Sequence, residues 1–184
     1  MPPATDAPQA VAHTGRRVPT IPDAVWSPLA GAVLMLVPGL LSIAFGQLWL
    51  FPSLGPTAFL QAALPQLPTS RPSNVVAGHL IGAVVAIVLV LLIVPENEPS
   101  TFELKELTAR RLAASVVAVA VTLLVAVPVR VGLHPPAAAT TLLFTLGAFP
   151  PTWAGLRTVA VGVLIVAVVG EAFRRARLAQ PGHK

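Results

Sequence analysis

His134-Pro135-Pro136-Ala-Ala-Ala-Thr140-Thr141 stands between two apolar stretches, each long enough to cross a bilayer. A proline inside a helix removes a backbone donor, whereas one in the first turn is well tolerated. The spacing therefore predicts a helix that begins here, preceded by non-helical backbone. At membrane depth, such backbone persists only where protein buries it or where it lines a wet cavity. A short helix starting there aims the positive end of its dipole into that cavity. The chemistry this suits is reversible binding of an anion. Gly55-Pro56-Thr57-Ala58 holds a matching place, 80 residues earlier counted from Pro56 to Pro136.

Other residues can join such a site. His79, between Gly78 and Gly82, falls within an apolar stretch, where an ionisable residue is a functional candidate by default. An imidazole there can equally do no more than tie two helices together. Thr57, Asn74, Thr140 and Thr141 offer neutral donors, although threonines also bond back to their own helix. Arg71, Arg130 and Arg157 flank the short helices. They either extend outward to the lipid headgroups or form an electropositive mouth that concentrates anions. No Asp or Glu falls within the expected spans, and Glu171 stands at the end of the last one, which argues against a carboxylate relay. Two histidines also fall short of the three protein ligands usual for catalytic zinc. The sequence contains no catalytic or nucleotide-binding region, so the expectation is a protein that is not an enzyme and needs no cofactor.

The elements that must position these residues follow from composition. Apolar residues make up 55% of the 184-residue chain and charged residues 10%; the mean hydropathy is +0.80. Soluble domains carry about 25% charged residues. With no cysteine, a disulfide framework is excluded. The net charge of +5 sits at the edges of apolar segments, a membrane-topology pattern rather than a nucleic-acid one. Ala24 to Ser70 is a run of 47 residues with no charge and no histidine. As one helix it would reach about 70 Å, against a hydrocarbon core of about 30 Å, so it must hold more than one membrane element. The expected order is a span over 27–51, a short half-helix over 57–64, and a span over 74–94. A polar loop over 95–111 follows, carrying an interfacial turn near Thr101, and then a span over 112–129. A second half-helix over 134–148 and a span over 152–173 complete the set.

Residues 1–26 read as a disordered cytoplasmic tail and 174–184 as a basic one, leaving a transmembrane domain over 27–173. The pattern reads as two repeats, about 27–94 and 112–173, each span, half-helix, span. If both termini are cytoplasmic, that side holds Arg16, Arg17, Lys105, Arg110, Arg111, Arg174, Arg175, Arg177 and Lys184, against Arg71, Arg130 and Arg157 opposite. That bias fits the positive-inside rule. It makes both half-helices re-entrant from the outer side and both repeats parallel, related by an axis along the membrane normal.

His134-Pro135-Pro136 followed by Ala-Ala-Ala-Thr, with Ser53-Leu-Gly-Pro-Thr-Ala58 and Asn74-Val-Val-Ala-Gly-His79 upstream, resembles the HPP family of integral membrane proteins. The resemblance covers about Pro28 to Phe173. It implies a four-span protein, and some plant plastid and cyanobacterial members are associated with nitrite transport. Gly55, Pro56, Asn74, His79, His134, Pro135 and Pro136 are the matching positions. One departure is visible: an arginine commonly precedes the asparagine, whereas this chain has Ser73 there and Arg71 two residues earlier.

The expectation is thus an all-α membrane protein of four transmembrane helices and two re-entrant half-helices, in the bacterial inner membrane. It would pass a small inorganic anion, foremost nitrite, as a channel or facilitator and as a homo-oligomer. Its candidate site residues are His134, Pro135, Pro136, Gly55, Pro56, Thr57, Asn74, His79, Thr140, Arg71 and Arg157. A non-transporting scaffold or accessory subunit is the principal alternative, a proton-coupled anion carrier a further one.

Overall fold

The structure, a computed structural model, describes residues 21–127 and 134–180. Among them are seven α-helices and no strand. Four are long and apolar enough to cross a bilayer: α1 (Asp23–Phe45), α3 (Pro72–Ile93), α5 (Ala109–Ala126) and α7 (Trp153–Leu178). Two are short: α2 (Leu54–Ala63) and α6 (Pro136–Thr145). The last, α4 (Thr101–Leu104), is the interfacial turn of the polar loop, closed by a capping box between Ser100 and Glu103.

Local chemistry sets the boundaries. The first span stops at Phe45, short of the expected Phe51, because Gly46 takes a left-handed conformation with φ of 62° and its amide bonds back to Ser42 O. The Ser42 hydroxyl then accepts the amides of Trp49 (3.0 Å) and Leu50 (3.1 Å), holding these residues outside the helix. Helix α3 opens with Pro72 and α6 with Pro136, each at the first turn. Thr108 and Thr152 cap α5 and α7 by accepting the amides of Arg111 and Gly155. The last span runs past Phe173 to Leu178, supported by Glu171 pairing with Arg174 and Arg175 at 2.6 Å each.

The order of the bundle follows from which ends meet. At one end lie the start of α1 and the end of α7: Arg177 binds Asp23 and the Ile21 carbonyl (2.7 Å), and Trp26 packs edge-on to Phe173. The same end holds Gln61 of α2, in contact with Gly170. The start of α3 is there too, since Pro72, Ser73 and Val76 share a groove with Glu171 and Arg175. At the opposite end Arg111 of α5 donates to the Thr145 carbonyl at the finish of α6. Val90 and Val94 of α3 cluster with Ala114 of α5 there. Gly155, early in α7, packs on Pro150 and Phe144.

This overturns the re-entrant arrangement. Residues 46–63 do not return the chain to the end where α1 finished; they carry it to the other end, and α6 finishes at the end where α5 began rather than where it ended. Helices α1 and α5 run in opposite senses, as do α3 and α7, so the described helices of the two halves are not parallel. Helix α2 packs on α1 of its own half and on α7 of the other; α6 packs on α5 and on α3, the mirrored pairing. The charge argument changes with it. The polar loop now lies opposite Arg71, Arg174, Arg175 and Arg177, so the described cations divide four and four: those against Lys105, Arg110, Arg111 and Arg157. Arg16, Arg17, Arg130 and Lys184 fall outside the described residues.

Burial is inverted relative to a soluble protein. Ile43 (81% exposed), Leu92 (74%) and Leu124 (72%) point outward, while His79, Thr57 and Thr140 are fully enclosed. An apolar core of Leu34, Leu54, Val75, Phe144, Val159, Val163 and Val166 fills the space between them and the outer helices.

Candidate functional site

The two short helices begin side by side near the middle of the bundle and run in opposite directions from there. Small residues on the long helices make this possible. A Cβ at Gly78 would stand 2.9 Å from His134 Cβ, and one at Gly82 would stand 2.6 Å from the Ala137 carbonyl oxygen. The Gly78-to-Gly82 face of α3 is therefore the seat of α6, the close-approach role of small residues in membrane helices. On the other side, a Cβ at Gly162 of α7 would stand 2.5 Å from the Trp49 carbonyl oxygen.

Five side chains and one carbonyl join in a continuous buried ladder. Ser53 Oγ lies 2.8 Å from Thr140 Oγ1, and Thr140 Oγ1 lies 2.5 Å from His79 Nδ1. His79 Nε2 is 2.8 Å from Thr57 Oγ1, which is 3.1 Å from His134 Nε2. His134 Nδ1 ends the ladder 2.9 Å from the Thr69 carbonyl. The two imidazoles meet edge to face, 5.0 Å apart.

The proton positions follow from the one member that can only accept. A carbonyl takes a hydrogen bond and gives none, so His134 must carry its proton on Nδ1. A neutral His134 then accepts at Nε2, and Thr57 donates to it. Thr57 can now only accept from His79, which places the His79 proton on Nε2. His79 Nδ1 accepts from Thr140, and Thr140 accepts from Ser53. Every group is satisfied with both rings neutral, and all donors point the same way. The Thr57 hydroxyl also lies 3.2 Å from the Ser53 carbonyl, a bond it can make only by giving up His134.

The sequence-derived candidates separate into two sets. His79, His134, Thr57 and Thr140 come together in the ladder. Pro136 is buried behind it in the first turn of α6, while Pro135 and Pro56 are exposed and Gly55 has open space around it. Asn74 lies apart: its amide donates to the Pro68 carbonyl at 2.7 Å and pins the turn before α3. Arg71 and Arg157 are both exposed and stand at opposite ends of the bundle, away from the ladder. Arg130 lies outside the described residues.

Sequence reasoning did not single out Ser53 as a site residue, nor the Thr69 carbonyl. Ser53 stands four residues before Thr57, a one-turn spacing that puts both on one face. The Thr69 carbonyl left no signal, because backbone acceptors have none. A second polar group above the ladder was also missed. Arg111, 5% exposed, donates to the carbonyls of Pro99 (2.9 Å), Thr145 (2.8 Å) and Glu98 (3.0 Å). Below it Ser115 donates to Thr145 (2.8 Å) and Thr122 meets Thr141 (3.2 Å). Arg111 lines a cavity of about 680 Å³, shared with Glu98, Glu103, Phe144 and Phe149. Phe144 stands one turn beyond Thr140, between this vestibule and the ladder.

Compared with known families, residues 16–181 match the family model described as HPP, transmembrane region. No curated protein and no solved structure matches the chain.

Proposed function

The chain belongs to the HPP transmembrane family, and from that premise we propose that it passes a small monovalent anion across the membrane, nitrite first among the candidates. The observation that carries this reading is the convergence of two half-helix starts, from opposite directions, on one buried ladder of hydroxyls and imidazoles. The two starts lie alongside one another, Ser53 beside Thr140 and Thr57 beside His134, and the positive end of each helix dipole is stabilised by a nearby negative charge. Each of the Ser53, Thr57 and Thr140 hydroxyls carries one proton on a rotatable O–H, so reorienting it exchanges a bond within the ladder for one to an anion. Sites built of such neutral donors hold an ion weakly enough to release it, as conduction requires.

In this reading an anion enters from the vestibule beside Arg111, passes Phe144 and Phe149, and is held at the ladder before leaving toward the end where α2 finishes. The choice of nitrite over other monovalent anions comes from the family resemblance and not from geometry. Assembly as a homo-oligomer and termini facing the cytoplasm are parts of the same proposal.

The test is anion flux into vesicles reconstituted with the full chain, comparing nitrite with nitrate, formate and chloride. Nitrite flux above protein-free vesicles, abolished by His134→Ala at equal protein content, is the expected result. Unchanged flux in that variant removes the ladder from the pathway. A scaffold or accessory-subunit reading has one observation in its favour: the ladder's groups satisfy one another, as in a network that serves packing. No flux of any anion from folded, correctly inserted protein would support it.

A further inference from the structure

Gln61 lies on α2 one turn beyond Thr57, which is one turn beyond Ser53, so the three share a helix face. Ser53 and Thr57 belong to the ladder. Gln61 is just as enclosed, at 0% exposure, yet neither its Oε1 nor its Nε2 has a hydrogen-bond partner. A primary amide has two protons to give and an oxygen to accept with. Buried polar groups are nearly always paired, and an unpaired one opposes folding. Across from it stands Gly170 of α7, where a Cβ would lie 2.1 Å from Gln61 Oε1. The chain thus keeps the only residue type whose lack of a side chain lets this amide stay where it is.

Burial without a partner, alignment with the ladder's own face, and a glycine opposite are three separate observations on one side chain. A solute leaving Thr57 along α2 meets Gln61 next, about 6 Å further on at 1.5 Å per residue. We propose that Gln61 is a binding station for the permeating anion and its accompanying water, between the histidine ladder and the end of the bundle where α2 finishes. The amide Nε2 donates to the anion, and Oε1 accepts from the water that travels with it. The inference rests on the transport reading above.

The full chain and its Gln61→Leu and Gly170→Ala variants are reconstituted in phosphatidylethanolamine–phosphatidylglycerol vesicles. Sodium nitrite uptake and thermal unfolding are then measured on each. Gln61→Leu removes the unpaired amide at similar volume, so it melts higher than the parent. Its nitrite uptake falls about tenfold or more, the factor that loss of one hydrogen bond to an ion corresponds to. Gly170→Ala displaces only the flexible end of the Gln61 side chain, so it folds and also takes up nitrite more slowly. Parental uptake and selectivity in Gln61→Leu overturn the station while leaving transport standing. Should that variant fail to fold, parental uptake in folded Gly170→Ala overturns it instead. No uptake by the parent protein overturns the station and the transport reading together.

Discussion

Helices α2 and α6 each have ten residues and each seats itself against a glycine on a long helix of the other half, yet their polar residues meet different fates. Five residues past Pro136, Thr141 lies beside Gly82; its one proton goes to the Ala137 carbonyl (3.1 Å) or the Gly82 carbonyl (3.3 Å), and its oxygen can accept from Thr122 (3.2 Å). Five residues past Pro56, Gln61 lies against Gly170 and bonds to nothing. A hydroxyl on a short stem reaches its own helix's carbonyl; an amide two carbons further out does not. The α6 side is therefore self-sufficient, and the α2 side is left with unsatisfied hydrogen-bonding capacity. A half-helix that holds itself together is a wall, and one with spare donors is a surface for a solute.

Four substitutions probe that difference, each read by equilibrium unfolding in detergent micelles. The largest loss is expected at the wall: Gly82→Ala drives a methyl into the Ala137 carbonyl, 2.6 Å away. The obstacle is backbone that cannot swing aside, so the loss is about 3 kcal/mol, the upper range for overpacking. A loss below about 1 kcal/mol would mean α6 is not rigidly seated. Gly170→Ala, facing only a side-chain tip, should cost far less. At the ladder between the two helices, His79→Leu leaves the Thr57 and Thr140 hydroxyls without their ring partner. At about 1 kcal/mol each, the expected loss is about 2 kcal/mol, and a stability equal to the parent's would show that the hydroxyls re-pair freely. The smallest effect belongs to Thr141→Val, which keeps the shape and removes one hydroxyl, for about 1 kcal/mol. If it instead stabilises the protein, the α6 side is no better satisfied than Gln61.

Much of this architecture could be read from residue order. The four long helices follow from runs of apolar residues, and both short ones begin at their proline motifs. The pairing of His79 with His134 was within reach because each stood alone in an apolar stretch. The direction of the short helices was not. A ten-residue helix covers about 15 Å, half the hydrocarbon core, and nothing in its composition says where the other half comes from. Here residues 47–51, which form no helix, and the turn at Pro52 and Ser53 make up the difference. That segment, Gln-Leu-Trp-Leu-Phe-Pro-Ser, carries no charge to report the side of the membrane it leaves from. Counting cations could not repair the error, since moving the polar loop across removes the bias among the described residues. Gln61 escaped notice for another reason: partner satisfaction belongs to the assembled interior and has no trace in a list of residue types.

The non-helical stretch after α1 also bears on how the chain is made. Backbone amides and carbonyls cannot enter lipid unpaired, because each costs several kcal/mol there. Ser42 takes two of these amides early. The Trp49 carbonyl, however, ends up against Gly162 of α7, an element synthesised more than a hundred residues later. The first broken crossing is therefore not completed in the order of translation.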